Sequence, residues 1–185
     1  MLELNNISLS LGGQHILKEL NFSAGAGELC VLMGANGAGK STLLKMLAGE
    51  YRHYTGQLLL AEKPLDTYTA AEQARCRAVL SQNVSVQLSF TVRDIVQMGR
   101  YVYQDDPAIN TAIVNYAMQL LQVETLQHRS WQTLSGGQQQ RVHMARVLAQ
   151  VLEVPALHGK DYAGKKMLLL DEPVTGMDIK HQQIA

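Results

Sequence analysis

The sequence has few of the residues that disulfide-rich, metal-bound or membrane-spanning proteins depend on. Only two of its 185 residues are cysteines, and these, Cys30 and Cys76, match neither a disulfide framework nor a CxxC metal pair. Its aliphatic runs, such as MLLL at 167–170, fall far short of the roughly 20 apolar residues that span a bilayer. We therefore expect a reduced, cytosolic protein that reaches a membrane only through a partner.

The sequence also lacks an excess of charge of either sign. Sixteen basic and sixteen acidic residues cancel, so charge gives no reason to expect a nucleic-acid partner or an anionic membrane surface. A hydrophobic content of 46% excludes a disordered chain. The N-terminal segment MLELNNISLSL alternates apolar and polar residues, which predicts an early antiparallel strand instead of a signal peptide.

An apolar strand, a glycine-rich loop and a helix are predicted to follow one another without a linker. The run LCVLM at 29–33 has the length of a strand buried on both faces, as in a parallel sheet, so Cys30 and Met33 are expected in the core. GANGAGKST comes next, and LLKMLAG then carries apolar residues at helical spacing.

The loop matches the phosphate-binding pattern G-x-x-x-x-G-K-[ST]. Glycines let successive N–H groups face inward as an anion nest, and a helix starting near Lys40 adds its positive end. Lys40 supplies a charge for the β and γ phosphates, and the Ser41 hydroxyl can ligate Mg²⁺. The predicted nucleoside triphosphate site consists of Gly34, Ala35, Asn36, Gly37, Ala38, Gly39, Lys40, Ser41 and Thr42.

Two carboxylates follow the apolar strand in LLLDE at 168–172. In doubly wound α/β folds, the carboxyl ends of strands face the ligand. Asp171 is the predicted partner of Mg²⁺, through a water, and Glu172 the predicted base or orienting group for the attacking water. The alternative, a solvated pair that merely ends a strand, is disfavoured by the phosphate loop upstream.

The order of the predicted elements indicates an α/β core with an insertion. A strand and turn are predicted at 57–65, a helix and short strand at 69–81, and a helix at 107–121 after a Pro start. Strand character returns only at 166–173. We expect one α/β domain with a parallel sheet and N-terminal antiparallel strands, its core formed by residues 1–81 and 151–185, and a helical subdomain at 82–150.

The segment WQTLSGGQQQRVHMARVLAQ at 131–150 contains no acidic residue and no cysteine. It therefore brings no carboxylate or thiol, and its hydroxyls have no obvious base beside them, although it combines two glycines, three consecutive glutamines and two arginines. Arg141, His143 and Arg146 are expected to be structural or solvated. No CxxCH haem-attachment motif is present.

GANGAGKST, Gln82, LSGGQ at 134–138 and LLLDE, in this order, resemble the nucleotide-binding subunits of ABC transporters over essentially the whole chain. The resemblance implies a P-loop NTPase fold, ATP and Mg²⁺ as cofactors, and a head-to-tail homodimer. It implies that Gln82 contacts Mg²⁺ and the attacking water, and that Asp178 belongs to a D-loop, with Thr-Gly-Met where Ser-Ala-Leu is usual. The residues implied to contact the γ-phosphate on the opposite subunit are Ser135, Gly136, Gly137 and Gln138.

Residues 69–100 resemble the ATPases of importers for iron-siderophores, vitamin B12 and heme, and the extra loop at 153–166 favours hemin import. This implies two transmembrane permease subunits that dock around 82–100 and a periplasmic substrate-binding protein that acts on this subunit only indirectly. It also implies a peripheral protein on the cytoplasmic face of the bacterial inner membrane that binds no nucleic acid. A siderophore or B12 importer ATPase and a soluble ABC ATPase of DNA repair or translation stay open as alternatives. Glu172 argues against a regulatory module that binds ATP without hydrolysing it.

The sequence departs from the family pattern at two places. Leu11 stands where many members have an aromatic residue that stacks on adenine, so adenine is expected to rest on Leu11 or His15. The chain ends at Ala185, before the family's switch histidine, and His181 is not assigned that role. We therefore expect a C-terminally truncated member that hydrolyses ATP poorly by itself.

Overall fold

The computed structural model describes residues 2–81, 89–153 and 166–173. These residues form two compact units. The first contains the described residues up to Gln73, and the second contains those from Ala74 onwards, apart from Lys166. The phosphate loop belongs to the first unit, and the signature segment and the paired carboxylates belong to the second.

The first unit contains a four-stranded antiparallel sheet in the order β2-β1-β3-β4. Its strands are β1 (Leu2–Leu11), β2 (Gln14–Ala24), β3 (Thr55–Leu60) and β4 (Lys63–Pro64). Gly12 and Gly13, both with positive φ, form the two-residue turn between β1 and β2. Asn6 has a φ of 53° beside a register shift, so Leu4 and Ile7 are both buried although they lie three residues apart.

Helix α1 (Lys40–Leu47) follows the phosphate loop, as predicted. It buries Leu43, Met46 and Leu47, which recur at helical spacing. The helix ends at Leu47 with Ala48 as its C-cap, and Gly49, with a φ of 76°, takes the left-handed conformation that commonly terminates helices.

The prediction of a buried strand at 29–33 is wrong. These residues lie in no strand, Leu29 and Met33 are 91% and 87% exposed, and Cys30 is exposed as well. A buried parallel strand needs hydrogen-bonded neighbours on both sides. Among the described residues, the other strands pair with one another and none pairs with 29–33. The apolar composition is thus compatible with burial, but in this structure the residues are exposed to solvent.

The second unit contains a parallel strand pair covered by helices. Helix α2 (Ala70–Cys76), of which only the residues from Ala74 onwards belong to this unit, leads into β5 (Arg77–Leu80), which pairs in parallel with β6 (Met167–Leu170). Along the chain, β5 and β6 are separated by the helices α3 (Val92–Gln97), α4 (Pro107–Leu120) and α5 (Gly136–Val151). The predicted helix and strand at 69–81 and the helix at 107–121 are thus confirmed. The core of this unit includes Leu80, Val92, Ile95, Val96, Ile113, Val114, Ala117, Met118, Val142, Ala145 and Val147.

Local side-chain chemistry determines where these helices begin. Thr91 and Asp94 form a capping box at the start of α3, in which each side chain accepts a hydrogen bond from the other residue's backbone N–H. Asp106 accepts a bond from the Ala108 N–H at the start of α4, with Pro107 in the first turn. None of the helices in the described part of the chain is both long and apolar enough to cross a membrane.

A buried arginine joins the end of α3 to the end of α5. Arg100 is 3% exposed, and its guanidinium donates to the carbonyl oxygens of Ala149 (2.9 Å) and Leu152 (3.1 Å). It also pairs with Asp105 at 2.6 Å and stacks on the ring of Tyr103, 3.8 Å from the centroid. Carbonyl groups at the end of a helix lack intrahelical donors, so a buried cation stabilises this end of α5.

Candidate nucleotide-binding site

The phosphate loop has the backbone shape that its glycines predict. Gly37 and Gly39 have φ values of 81° and 90°, in the left-handed region that other residues rarely adopt. A Cβ added to Gly39 would lie 3.2 Å from the Leu17 side chain and 3.3 Å from the Ile16 carbonyl oxygen. Residues 34–38 are exposed to solvent. The loop is thus curled and open on its outer side.

Lys40 places its charge on this loop. Its ammonium group donates to the carbonyl oxygens of Gly34 (2.7 Å) and Ala35 (2.8 Å). Because an ammonium group has three N–H donors, one donor is left for an anion. The first turn of α1 holds no acidic residue, so nothing there opposes the positive end of the helix. The exposed Ser41 is the second residue of that helix.

The paired carboxylates lie where β6 ends. The Asp171 N–H donates to the Leu80 carbonyl oxygen at 3.0 Å, which extends the parallel ladder by one residue. Asp171 is half-buried, and the exposed Glu172 has a φ of 49°. A left-handed residue turns the chain sharply away from the strand direction. Glu172 therefore lies on a tight turn that begins directly after the sheet.

The signature segment forms the first turn of α5. The Ser135 hydroxyl oxygen accepts from the Gln138 N–H (3.3 Å), and the Gln138 amide oxygen accepts from the Ser135 N–H (3.0 Å). Helix geometry leaves the N–H groups of Gly136 and Gly137 without an intrahelical acceptor. A Cβ on Gly136 would meet no atom within 4 Å. The positive end of α5 thus carries two N–H groups without an intrahelical acceptor, and Ser135 and Gly136 there are exposed to solvent.

Three other polar residues of α5, Arg141, His143 and Arg146, are partly or fully buried. Arg141 donates to the carbonyl oxygens of Leu121 and Gln122, just after α4. His143 is buried, with its ring 4.5 Å from that of Trp131. Burial lowers the pKa of the Arg146 guanidinium below its usual value. Arg141 and His143 thus connect α5 to the end of α4 and to Trp131 within the second unit.

Gln140 connects the signature helix to the carboxylate turn. Its amide nitrogen donates to the carbonyl oxygen of Pro173 at 3.1 Å. Sequence reasoning missed this residue, because nothing in a run of three glutamines indicates which one reaches a distant loop.

The remaining predicted residues fall into two groups. Gln82, Asp178 and His181 lie outside the described residues. Leu11 is the last residue of β1, and the exposed His15 has its Nδ1 2.8 Å from the Ser10 hydroxyl.

Comparison with known proteins gives a family match over most of the chain. The ABC transporter family matches residues 17–158. The hemin import ATP-binding protein HmuV of Nitrobacter winogradskyi is 40% identical over 184 residues, which cover 98% of this chain and 65% of that protein. The protein of the same name from Bordetella pertussis is 42% identical over 182 residues, covering 98% of this chain and 68% of the relative.

Among solved structures, a metal-chelate type ABC transporter in an inward-facing conformation is similar to this chain with a TM-score of 0.72 and 27% identity. The match covers 99% of this chain and 64% of that one. The chain spans about two thirds of the length of the curated relatives it matches. The fold, the phosphate loop, the signature turn and these matches agree, and the chain belongs to the ATP-binding family of ABC transporters.

Proposed function

We propose that this protein binds and hydrolyses ATP as the nucleotide-binding subunit of an ABC importer for hemin. The observation that carries the proposal is identity of about 40% to hemin import ATP-binding proteins across 98% of the chain. The shapes of the phosphate loop and the signature turn support the ATPase part independently of any cargo.

ATP binding is assigned to residues 34–42. The open loop, the Lys40 ammonium and the positive end of α1 together favour a polyphosphate. Mg²⁺ is assigned to Ser41, Asp171 and Gln82, because hydroxyl, carboxylate and amide oxygens are the ligands this ion prefers. When bound, Mg²⁺ neutralises negative charge on the β and γ phosphates.

Hydrolysis is assigned to Glu172, which takes a proton from, or orients, the attacking water. Its place on a tight turn directly after β6 supports the role, because the turn fixes the backbone that carries the carboxylate. Gln82 assists in orienting the water. The unit of hydrolysis is a head-to-tail homodimer, as the family resemblance implies. The donors at Ser135, Gly136, Gly137 and Gln138, which come with no base, support a site shared with a second subunit.

The homodimer docks on two permease subunits at the cytoplasmic face of the inner membrane, and a periplasmic binding protein delivers hemin to the permease. Asp178 contributes to the dimer contact. Residues 82–100, a part of the predicted helical subdomain 82–150, form the docking region for the permease. Met98, within this range and 42% exposed, and Tyr101, directly after it and 91% exposed, supply apolar surface for such a contact.

The test is ATP turnover of the protein assembled with its permease in liposomes loaded with the binding protein. We expect hemin to stimulate phosphate release and Lys40→Ala to abolish it, because the variant loses a charge on the phosphates. A ferric siderophore and vitamin B12, supplied with the same assembly, test the alternative cargoes. Stimulation by one of these but not by hemin would refute hemin as cargo and leave the ATPase assignment intact.

A further inference from the structure

The turn that carries Glu172 is held at both of its ends. On one side, the Asp171 N–H is bonded to Leu80 in the neighbouring strand. On the other side, the carbonyl oxygen of Pro173 accepts from the Gln140 amide at 3.1 Å. A proline has no N–H, so its carbonyl is the only backbone group through which this residue can be anchored.

Glu172 itself has a φ of 49° between these two anchors. Residues with a side chain avoid this region, and one persists there only where its surroundings fix it. The Gln140 bond is therefore one of the contacts placed to hold the turn in this shape.

The three consecutive glutamines of α5 have three different partners. Gln138 closes the capping box with Ser135, and the Gln139 amide donates to the Trp131 carbonyl oxygen at 3.3 Å. Only Gln140 among them reaches the carboxylate turn. The five residue-to-residue steps from Ser135 to Gln140 cover about 7.5 Å at the start of α5, so the phosphate-facing turn and Gln140 move as one body.

We propose that Gln140 is a positioning residue for Glu172. By holding the Pro173 carbonyl, it fixes the backbone on which the Glu172 carboxylate is carried, and it links that backbone to the signature turn of α5. A change in the position of α5 on contact with phosphate thus alters the position of the base. This inference rests on the proposed role of Glu172 in hydrolysis.

The test compares Gln140→Met with Gln139→Met in the full-length protein assembled with its permease. Both variants replace an amide on the same helix turn with an apolar group of similar length. We expect Gln140→Met to lower kcat about 3- to 10-fold, the usual worth of one hydrogen bond, with KM for ATP within about twofold. Gln139→Met is expected to leave kcat unchanged, because its partner, the Trp131 carbonyl oxygen, is not part of the carboxylate turn.

A second variant and a double mutant separate positioning from general destabilisation. Gln140→Asn keeps the amide but is one methylene shorter, so we expect the same loss of kcat even if Gln140→Met folds poorly. Because Gln140 acts through Glu172, adding Gln140→Met to Glu172→Gln is expected to cause no further loss. A further loss of the same factor would overturn the inference, as would unchanged kcat in both Gln140 variants. If Glu172→Gln alone retained full turnover, the proposed function of Glu172 would fail as well.

Discussion

Replacing Arg100 with methionine should destabilise the protein far more than removing an exposed ion pair. Arg100 is almost fully buried and donates to two carbonyls at the end of α5, to Asn110 and to Asp105. Methionine fills the space but leaves Asp105 without its cation. Breaking a buried pair costs about 3–5 kcal/mol. Since the Asp105 side chain is 20% exposed, we expect a value near the lower end, about 3 kcal/mol.

The assay is thermal and urea denaturation of the full-length protein. A loss of about 3 kcal/mol corresponds to a decrease in Tm of about 6–12 °C for a protein of this size. The matched control is Lys63→Met, which removes the 3.7 Å pair with Glu72, where both side chains are about half exposed. That variant is expected to keep the parent Tm, because water screens exposed pairs. Equal Tm values for the two variants would refute the assignment of Arg100 as a buried anchor.

Three further outcomes are expected. Glu172→Gln keeps ATP binding in equilibrium dialysis but nearly abolishes phosphate release; undiminished turnover would remove Glu172 from its role. Gly99→Ala lowers the unfolding free energy by about 1–3 kcal/mol in urea titration, because the added Cβ would lie 2.3 Å from the Arg146 carbonyl oxygen. An unchanged midpoint of urea unfolding would contradict that contact. Hydrogen bonds from Thr91 hold the pKa of Asp94 below its usual value. The stability that Asp94 contributes is therefore fully present above its ordinary, unfolded-state pKa, and it is lost as the pH falls through the lowered pKa of the folded state. Asp94→Asn should therefore show a smaller loss of urea midpoint between pH 7 and pH 3 than the parent, and equal losses would exclude this source of acid sensitivity.

Local patterns in the sequence predicted the local features of the structure. The glycine pattern of residues 34–41 predicted the curled loop and a helix beginning at Lys40. The Pro start and apolar spacing predicted α4 to within one residue. Such features depend on neighbours within about four positions along the chain, and those neighbours are visible in the sequence itself.

Contacts between distant residues could not be predicted in this way. Gln140 and Pro173 are 33 positions apart, and Arg100 and Ala149 are 49 apart. Nothing in the sequence distinguishes Gln140 or Arg100 from the glutamines and arginines elsewhere in the chain that are exposed to solvent. The run at 29–33 shows the same limit, because an apolar composition predicts burial but does not supply the neighbouring strands that burial requires.

The parallel pair of β5 and β6 has a consequence for synthesis of the chain. Arg77 and its partner Met167 are 90 positions apart, whereas the antiparallel sheet is complete once Pro64 has been made. At a translation rate of about 5–20 residues per second, β5 waits roughly 5–20 seconds for its partner. During that interval the residues of all four described strands of the first unit have already been made. The residues of the phosphate loop are thus synthesised well before the carboxylates of the proposed chemistry.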